Sequence, residues 1–188
     1  MESMVTLLYR LFLTFNAASL IIVVFLIKSQ FQLCFLSSFP KWISYIVFIC
    51  IPIILTGISL LLSRFLSSDN ITGEIKDVEQ ANNAFLPSYL GYFFVALSIQ
   101  YNETLLFVFL ILFAFTFFSQ TLYFNPLFLF WRYQFYYITT EDNVKLFIIS
   151  KKQIRSSNGL SFSSLKRINN FTYIDKGEDK NESCNCQN

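Results

Sequence analysis

The chain contains no histidine, so the side chain that most often serves as general base, proton shuttle and metal ligand near neutral pH is missing. Histidine-dependent catalysis is excluded. The four cysteines are Cys34, Cys50, Cys184 and Cys186. A structural metal site wants four ligands at matched spacing, whereas the close pair Cys184-Asn185-Cys186 has no second pair, Cys50 lies inside an apolar run and Cys34 in an apolar loop. No metal, no cofactor and no catalytic constellation is expected, and the chain reads as a non-enzyme.

What remains for chemistry is charge. Residues 132–167 hold seven basic side chains against Glu141 and Asp142, a net of +5. The candidate contacts are Arg132, the cluster Lys151, Lys152 and Arg155, and the pair Lys166 and Arg167. Such a patch touches anionic lipid at about 1 kcal/mol per residue near the surface, docks an acidic partner, or meets nucleic acid. The chain shows no helix-turn-helix, zinc-finger or RNA-binding signature, so sequence-specific nucleic-acid binding is not expected. Asn70, Asn102, Asn170 and Asn181 match the glycosylation acceptor pattern, which an asparagine-rich chain produces by chance.

These residues must be positioned by a hydrophobic scaffold. Of 188 residues 54% are hydrophobic and only 14% charged, with a mean hydropathy of +0.50, outside the range of an ordinary soluble domain. The 24 phenylalanines fit an AT-rich coding bias and are assigned no function. A helix crosses the bilayer with about 20 apolar residues, and four runs approach that length: residues 11–27, 42–62, 85–100 and 104–124. The first has no small-residue cleavage site after it, so it reads as a span rather than a removable signal. The third is short, at 16 residues. No span core carries an ionisable group, which argues against a pump or coupled transporter, and Arg10 reads as an anchor at the end of the first span. Asn16, Ser19, Thr56 and Gly57 offer interhelical contacts, and Ser88, Gly91, Val95 and Ser98 form a small-residue stripe that suits close helix packing. Asn16, Ser88, Gly91 and Ser98 are the helix-packing candidates.

Twelve of the 14 Lys and Arg residues fall on one side of a four-span arrangement, leaving Lys28 and Lys41 on the other. The basic side faces the cytoplasm, so both termini are expected there. After Trp131 the pattern turns strand-like: residues 133–140, a turn at Glu141-Asp142-Asn143 and residues 144–149 predict a β-hairpin. Asn158-Gly159 predicts another turn, residues 168–174 a third strand, and residues 71–75 of the inner loop a possible fourth. The expected fold is thus an α-helical multi-pass membrane protein of four transmembrane helices (residues 1–131) with a small C-terminal cytoplasmic β-rich module (132–175) and a disordered polar tail (176–188). So small a sheet is marginal alone and is expected to be completed by the inner loop, neighbouring subunits or a partner.

The junction from Asn125-Pro126-Leu127 through Tyr133 and Tyr136, the Thr140-Glu141-Asp142 turn, Val144, Ile148-Ile149-Ser150-Lys151 and Ile154-Arg155 resembles the membrane subunit of the Kiwa anti-phage defence system. The plan of four spans and a small cytoplasmic β module is similar too. The resemblance implies a homo-oligomeric sensor and scaffold of the bacterial inner membrane that detects infection and works with a cytosolic DNA-binding effector. The rival expectation is a pore-forming or membrane-perturbing, holin-like abortive-infection effector whose path is lined by Asn16, Ser19, Thr56 and Ser59.

Overall fold

A computed structural model describes residues 4–71, 75–83, 86–119, 125–154, 157, 162 and 165–176. Four α-helices occur among them: α1 (Met4–Lys28), α2 (Lys41–Leu62), α3 (Leu86–Ser98) and α4 (Asn102–Ser119). The central helix is α1, which packs against the other three. Its sequence explains why: Ala17, Ala18 and Ser19 are buried side by side with Leu13, Thr14, Asn16 and Ile21, and small side chains let neighbouring backbones close in from several directions. By contrast, α2 buries one face through Ser44, Phe48, Pro52, Thr56, Ser59 and Leu60 and leaves Ile46, Ile54, Ile58 and Leu61 exposed. Thr116 is the sole buried residue of α4.

Six strands follow: β1 (Ser68–Asp69), β2 (Ile75–Gln80), β3 (Gln134–Thr140), β4 (Lys145–Ser150), β5 (Leu165–Arg167) and β6 (Thr172–Asp175). They form one mixed sheet in the order β1-β5-β6-β4-β3-β2, antiparallel except for β4 against β6. The β3–β4 hairpin turns through Asn143, whose φ of 58° is left-handed; asparagine tolerates that region better than other side-chain-bearing residues. Side chains alternate between the two faces of a strand, and both faces here are apolar. One face sends Phe135, Phe147 and Ile149 into a cluster with Tyr9 and Leu13 of α1, Leu60 of α2 and Phe128. The other gathers Tyr136, Ile138, Leu146 and Ile148 with Ile75, Phe162, Leu165 and Tyr173. Residues of α1 and α2 therefore belong to the core on one face of the sheet.

Three parts of the expected fold are corrected. Among the described residues three helices, not four, are long and apolar enough to cross a membrane: Met4–Lys28, Lys41–Phe65 and Asn102–Ser119. The third expected span is a helix of 13 residues, rising about 20 Å at 1.5 Å per residue, short of a ~30 Å hydrocarbon core. The sheet is also not a separate C-terminal module: both of its edge strands, β1 and β2, come from the segment between α2 and α3, and its core is shared with α1 and α2. Finally, residues 168–170 form a bend rather than strand, which separates β5 from β6. The expected hairpin at residues 133–149 is present; the expected turn at Asn158-Gly159 and the tail beyond Lys176 lie outside the described residues.

Candidate functional site

Where α2 runs out, the chain builds a cleft of about 640 Å³ between that helix and the sheet. Its far wall is set by the 3-10 turn Pro126–Trp131. Pro126 supplies the fixed φ favoured at a helix start, Asn125 Oδ1 accepts from Leu127 N at 3.0 Å, and Arg132 reverses the chain with a φ of 61°. The turn throws Trp131 back onto α2, where its Nε1 donates to Ile53 O at 3.2 Å. Only glycine fits beneath the ring: a Cβ at Gly57 would lie 2.5 Å from Trp131 Cζ2.

The near wall is apolar, with Ile54, Ile58 and Leu61 of α2. The mouth is cationic, with Arg64, Lys151, Lys152 and Lys176 around one carboxylate, Asp175. Lys151, Lys152, Asp175 and Lys176 are each tied to a neighbour. Lys151 Nζ stands 5.1 Å over the Tyr133 ring. The Lys152 backbone N–H donates to Ser150 Oγ at 3.0 Å, and Ser150 Oγ donates to Asp175 Oδ2 at 2.8 Å. Lys176 Nζ donates to Leu60 O at 3.0 Å, tying the end of the sheet to the carbonyl end of α2, where a cation is favoured. Among the described residues, none of the four cations makes an ion pair within 4.0 Å. Burial, then the nearby Arg64 and Lys166, lower the Lys176 ammonium to about 8. Burial, then the charge of Asp175, raise the Tyr133 phenol.

Behind the cleft, a polar knot links the helices. Thr56 Oγ1 accepts from Asn16 Nδ2 of α1 at 2.7 Å and from Asn125 Nδ2 at 3.2 Å, and donates to Pro52 O at 2.8 Å. Thr56, Asn16 and Asn125 are fully buried, and polar groups so placed in an apolar setting must bond to one another.

The residues singled out from the sequence are distributed across several places. Lys151 and Lys152 line the cleft. Arg132, exposed, lines a neighbouring depression with Asn82, Leu129 and Gln134. Lys166 and Arg167 lie on β5 and serve the edge of the sheet instead: Lys166 Nζ donates to Leu66 O and Ser68 Oγ, and Arg167 donates to Asn170 Oδ1 near Asp69. Arg155 lies outside the described residues. Of the packing candidates, Asn16 holds the polar knot. Ser88 is half-buried, whereas Gly91 and Ser98 are exposed on α3, and a Cβ at Gly91 would meet nothing within 4 Å. Arg10, read as an anchor, is instead buried with its guanidinium 5.4 Å over the Phe117 ring. Sequence reasoning missed Arg64, Trp131, Tyr133 and Lys176 as one group, and the only available signal was a basic residue directly after each apolar or strand-like run. Among the described residues no cluster of three or more His, Cys, Asp or Glu could hold a metal.

Neither a curated protein nor a solved structure matches the chain. The family model of the anti-phage protein KwaA matches residues 9–174, a stretch that includes α1 from Tyr9 onward, the polar knot and the sheet through Ile174. The match covers most of the 188 residues, and the chain belongs to the KwaA family of anti-phage proteins.

Proposed function

We propose that this protein is a non-catalytic sensor and scaffold of the bacterial inner membrane, which assembles as a homo-oligomer and passes an infection signal from the envelope to a cytosolic DNA-binding effector. The family match gives the role in defence. The observation that supports the mechanism is the shared core. Tyr9, Leu13 and Leu60 of the helices pack with Phe135, Phe147 and Ile149 of the sheet, and close-packed interiors transmit displacement instead of absorbing it. A shift of α1 or α2 at the envelope therefore moves the sheet. The outer edge of β2, with Lys76, Asp77, Glu79 and Gln80 exposed, is open for strand addition by the effector. The exposed flank of α4 and the stripe Gly91, Val95 and Ser98 offer apolar and small-residue surfaces for a second copy. The basic excess on the sheet side supports a reading in which that side, with both termini, faces the cytoplasm against anionic lipid, with α3 and α4 entering and leaving on that one side as a hairpin along α1.

Asn16, Ser19, Thr56 and Ser59, which a pore would need along its path, are buried and bonded to neighbouring atoms within the chain. Expression alone and together with the adjacent gene tests the proposal. Harmless expression alone, with protection against phage and co-purification only when both are present, is the expected result. Toxicity without any partner contradicts it and favours a membrane-perturbing effector.

A further inference from the structure

The cleft between α2 and the sheet has two chemically distinct halves, and together they describe a ligand. Its apolar half is Ile54, Ile58 and Leu61, spaced along one face of α2 and 57%, 41% and 59% exposed. That surface is continuous with the outward flank of a helix long and apolar enough to lie in a bilayer. Its polar half carries Arg64, Lys151, Lys152 and Lys176 against, among the described residues, the one carboxylate Asp175, and Ser150 already donates to that carboxylate. Trp131 lies between the halves, at the level where an indole marks the boundary between hydrocarbon and headgroups.

We propose that this cleft is a binding site for one anionic phospholipid, whose phosphate is held by Arg64, Lys151, Lys152 and Lys176 and whose acyl chain lies along Ile54, Ile58 and Leu61. The inference rests on α2 crossing the membrane. A soluble phosphate leaves the aliphatic wall unused, and a zwitterionic headgroup leaves three of the four cations uncompensated after Asp175. The volume of about 640 Å³ accommodates a glycerophosphate headgroup and the start of its chains. The bound lipid would bridge Arg64, at the end of α2, to Lys151, Lys152 and Lys176 of the sheet.

The protonation of Lys176 gives an independent handle. It faces Arg64 beyond α2, Lys166 on β5, Asp175 on β6, Tyr133 at the start of β3, and Lys151 and Lys152 after β4. Burial, then the nearby Arg64 and Lys166, hold it at about 8; a bound phosphodiester raises that value, so binding takes up a proton near pH 8. Affinity is full below about pH 8 and falls as pH rises through it.

The test uses the full-length protein in detergent, with native mass spectrometry scoring retained phosphatidylglycerol against phosphatidylcholine. One phosphatidylglycerol per chain is expected in preference to phosphatidylcholine. A Lys152→Gln/Lys176→Gln variant should lose about tenfold or more in that preference, and Ile58→Trp, which fills the apolar half without adding polarity, should lose retention with the cations intact. Folding of each variant is checked by its unfolding midpoint. Equal retention of both lipids, variants that keep the preference, or displacement by inorganic phosphate as effective as by lipid each overturn the proposal, the last pointing to a free-anion site. Flotation with phosphatidylcholine liposomes separates the two levels. A chain that floats but shows no lipid preference refutes the cleft alone, whereas a chain that does not float refutes the spanning helix and the cleft with it.

Discussion

Thr56 is the residue on which most of the internal polar chemistry converges. Its hydroxyl accepts from amides of Asn16 and Asn125 and donates to Pro52 O, so one oxygen joins α1, α2 and the turn that carries Trp131. Replacing it with valine keeps the shape and removes the bonds. Thr56→Val should cost about 1–2 kcal/mol in reversible unfolding in detergent, the upper part of the range for interhelical hydrogen bonds in membranes, while Thr56→Ser should stay near wild type. Beside it, Gly57 sits beneath an indole. In a Trp42→Phe background, Gly57→Ala should raise acrylamide quenching of Trp131, because a Cβ cannot coexist with the ring where it stands; unchanged quenching would contradict that packing. Asn16 and Thr56 were legible in the sequence as polar residues within apolar runs. Asn125 was legible only as a helix stop, since its bond to Thr56 spans 69 positions and depends on the chain returning to α2.

At the level of elements, α3 is the least conventional piece. It is too short to cross alone, and three hydrogen bonds tie it and the residue after it to α1: Tyr89 donates to Ala17 O at 3.3 Å, and Lys28 Nζ donates to Ile99 O at 2.6 Å and to Leu97 O. The Lys28 ammonium thus satisfies carbonyls at the end of α3, where a cation opposes the helix dipole. Lys28→Met should accelerate hydrogen exchange at the last turn of α3 and leave α2 unaffected. The shortness of this helix was readable, because only 16 apolar residues were available. The hairpin was readable too, since alternation in residues 133–149 is strong. The parallel pairing of β4 with β6 was not, because its partners lie about 25 residues apart in register and no local pattern encodes that choice. The edge strands were legible only in part: the inner loop was read as a possible strand at residues 71–75, whereas β2 runs Ile75–Gln80 and, reading Ile-Lys-Asp-Val-Glu-Gln, is polar enough to pass for a loop, and β1 is only two residues long. Lys151 and Lys152 declared themselves as a charge cluster, whereas Arg64 and Lys176 joined them only through this topology.

For the whole molecule, the charge asymmetry and the fold point the same way. The loop bearing Ser37 and the turn bearing Glu141 lie at opposite ends of α1, because Tyr9 and Leu13 pack on the sheet while Lys28 reaches the end of α3. In a cysteine-free background, Ser37→Cys should react with an impermeant maleimide in intact cells and Glu141→Cys only after lysis. The central claim is that helices and sheet share one core, and hydrogen exchange in the reconstituted full-length protein tests it most directly. Leu13 lies on α1, is 2% exposed and touches no strand in sequence. Leu13→Ala removes buried volume at a cost of about 2–5 kcal/mol, so the amides of Phe135, Phe147 and Ile149 on β3 and β4 should exchange at least about tenfold faster than in wild type. Unaltered exchange in β3 and β4, with faster exchange confined to the helices, would mean that the sheet is a free-standing module and that no shared core connects it to the membrane.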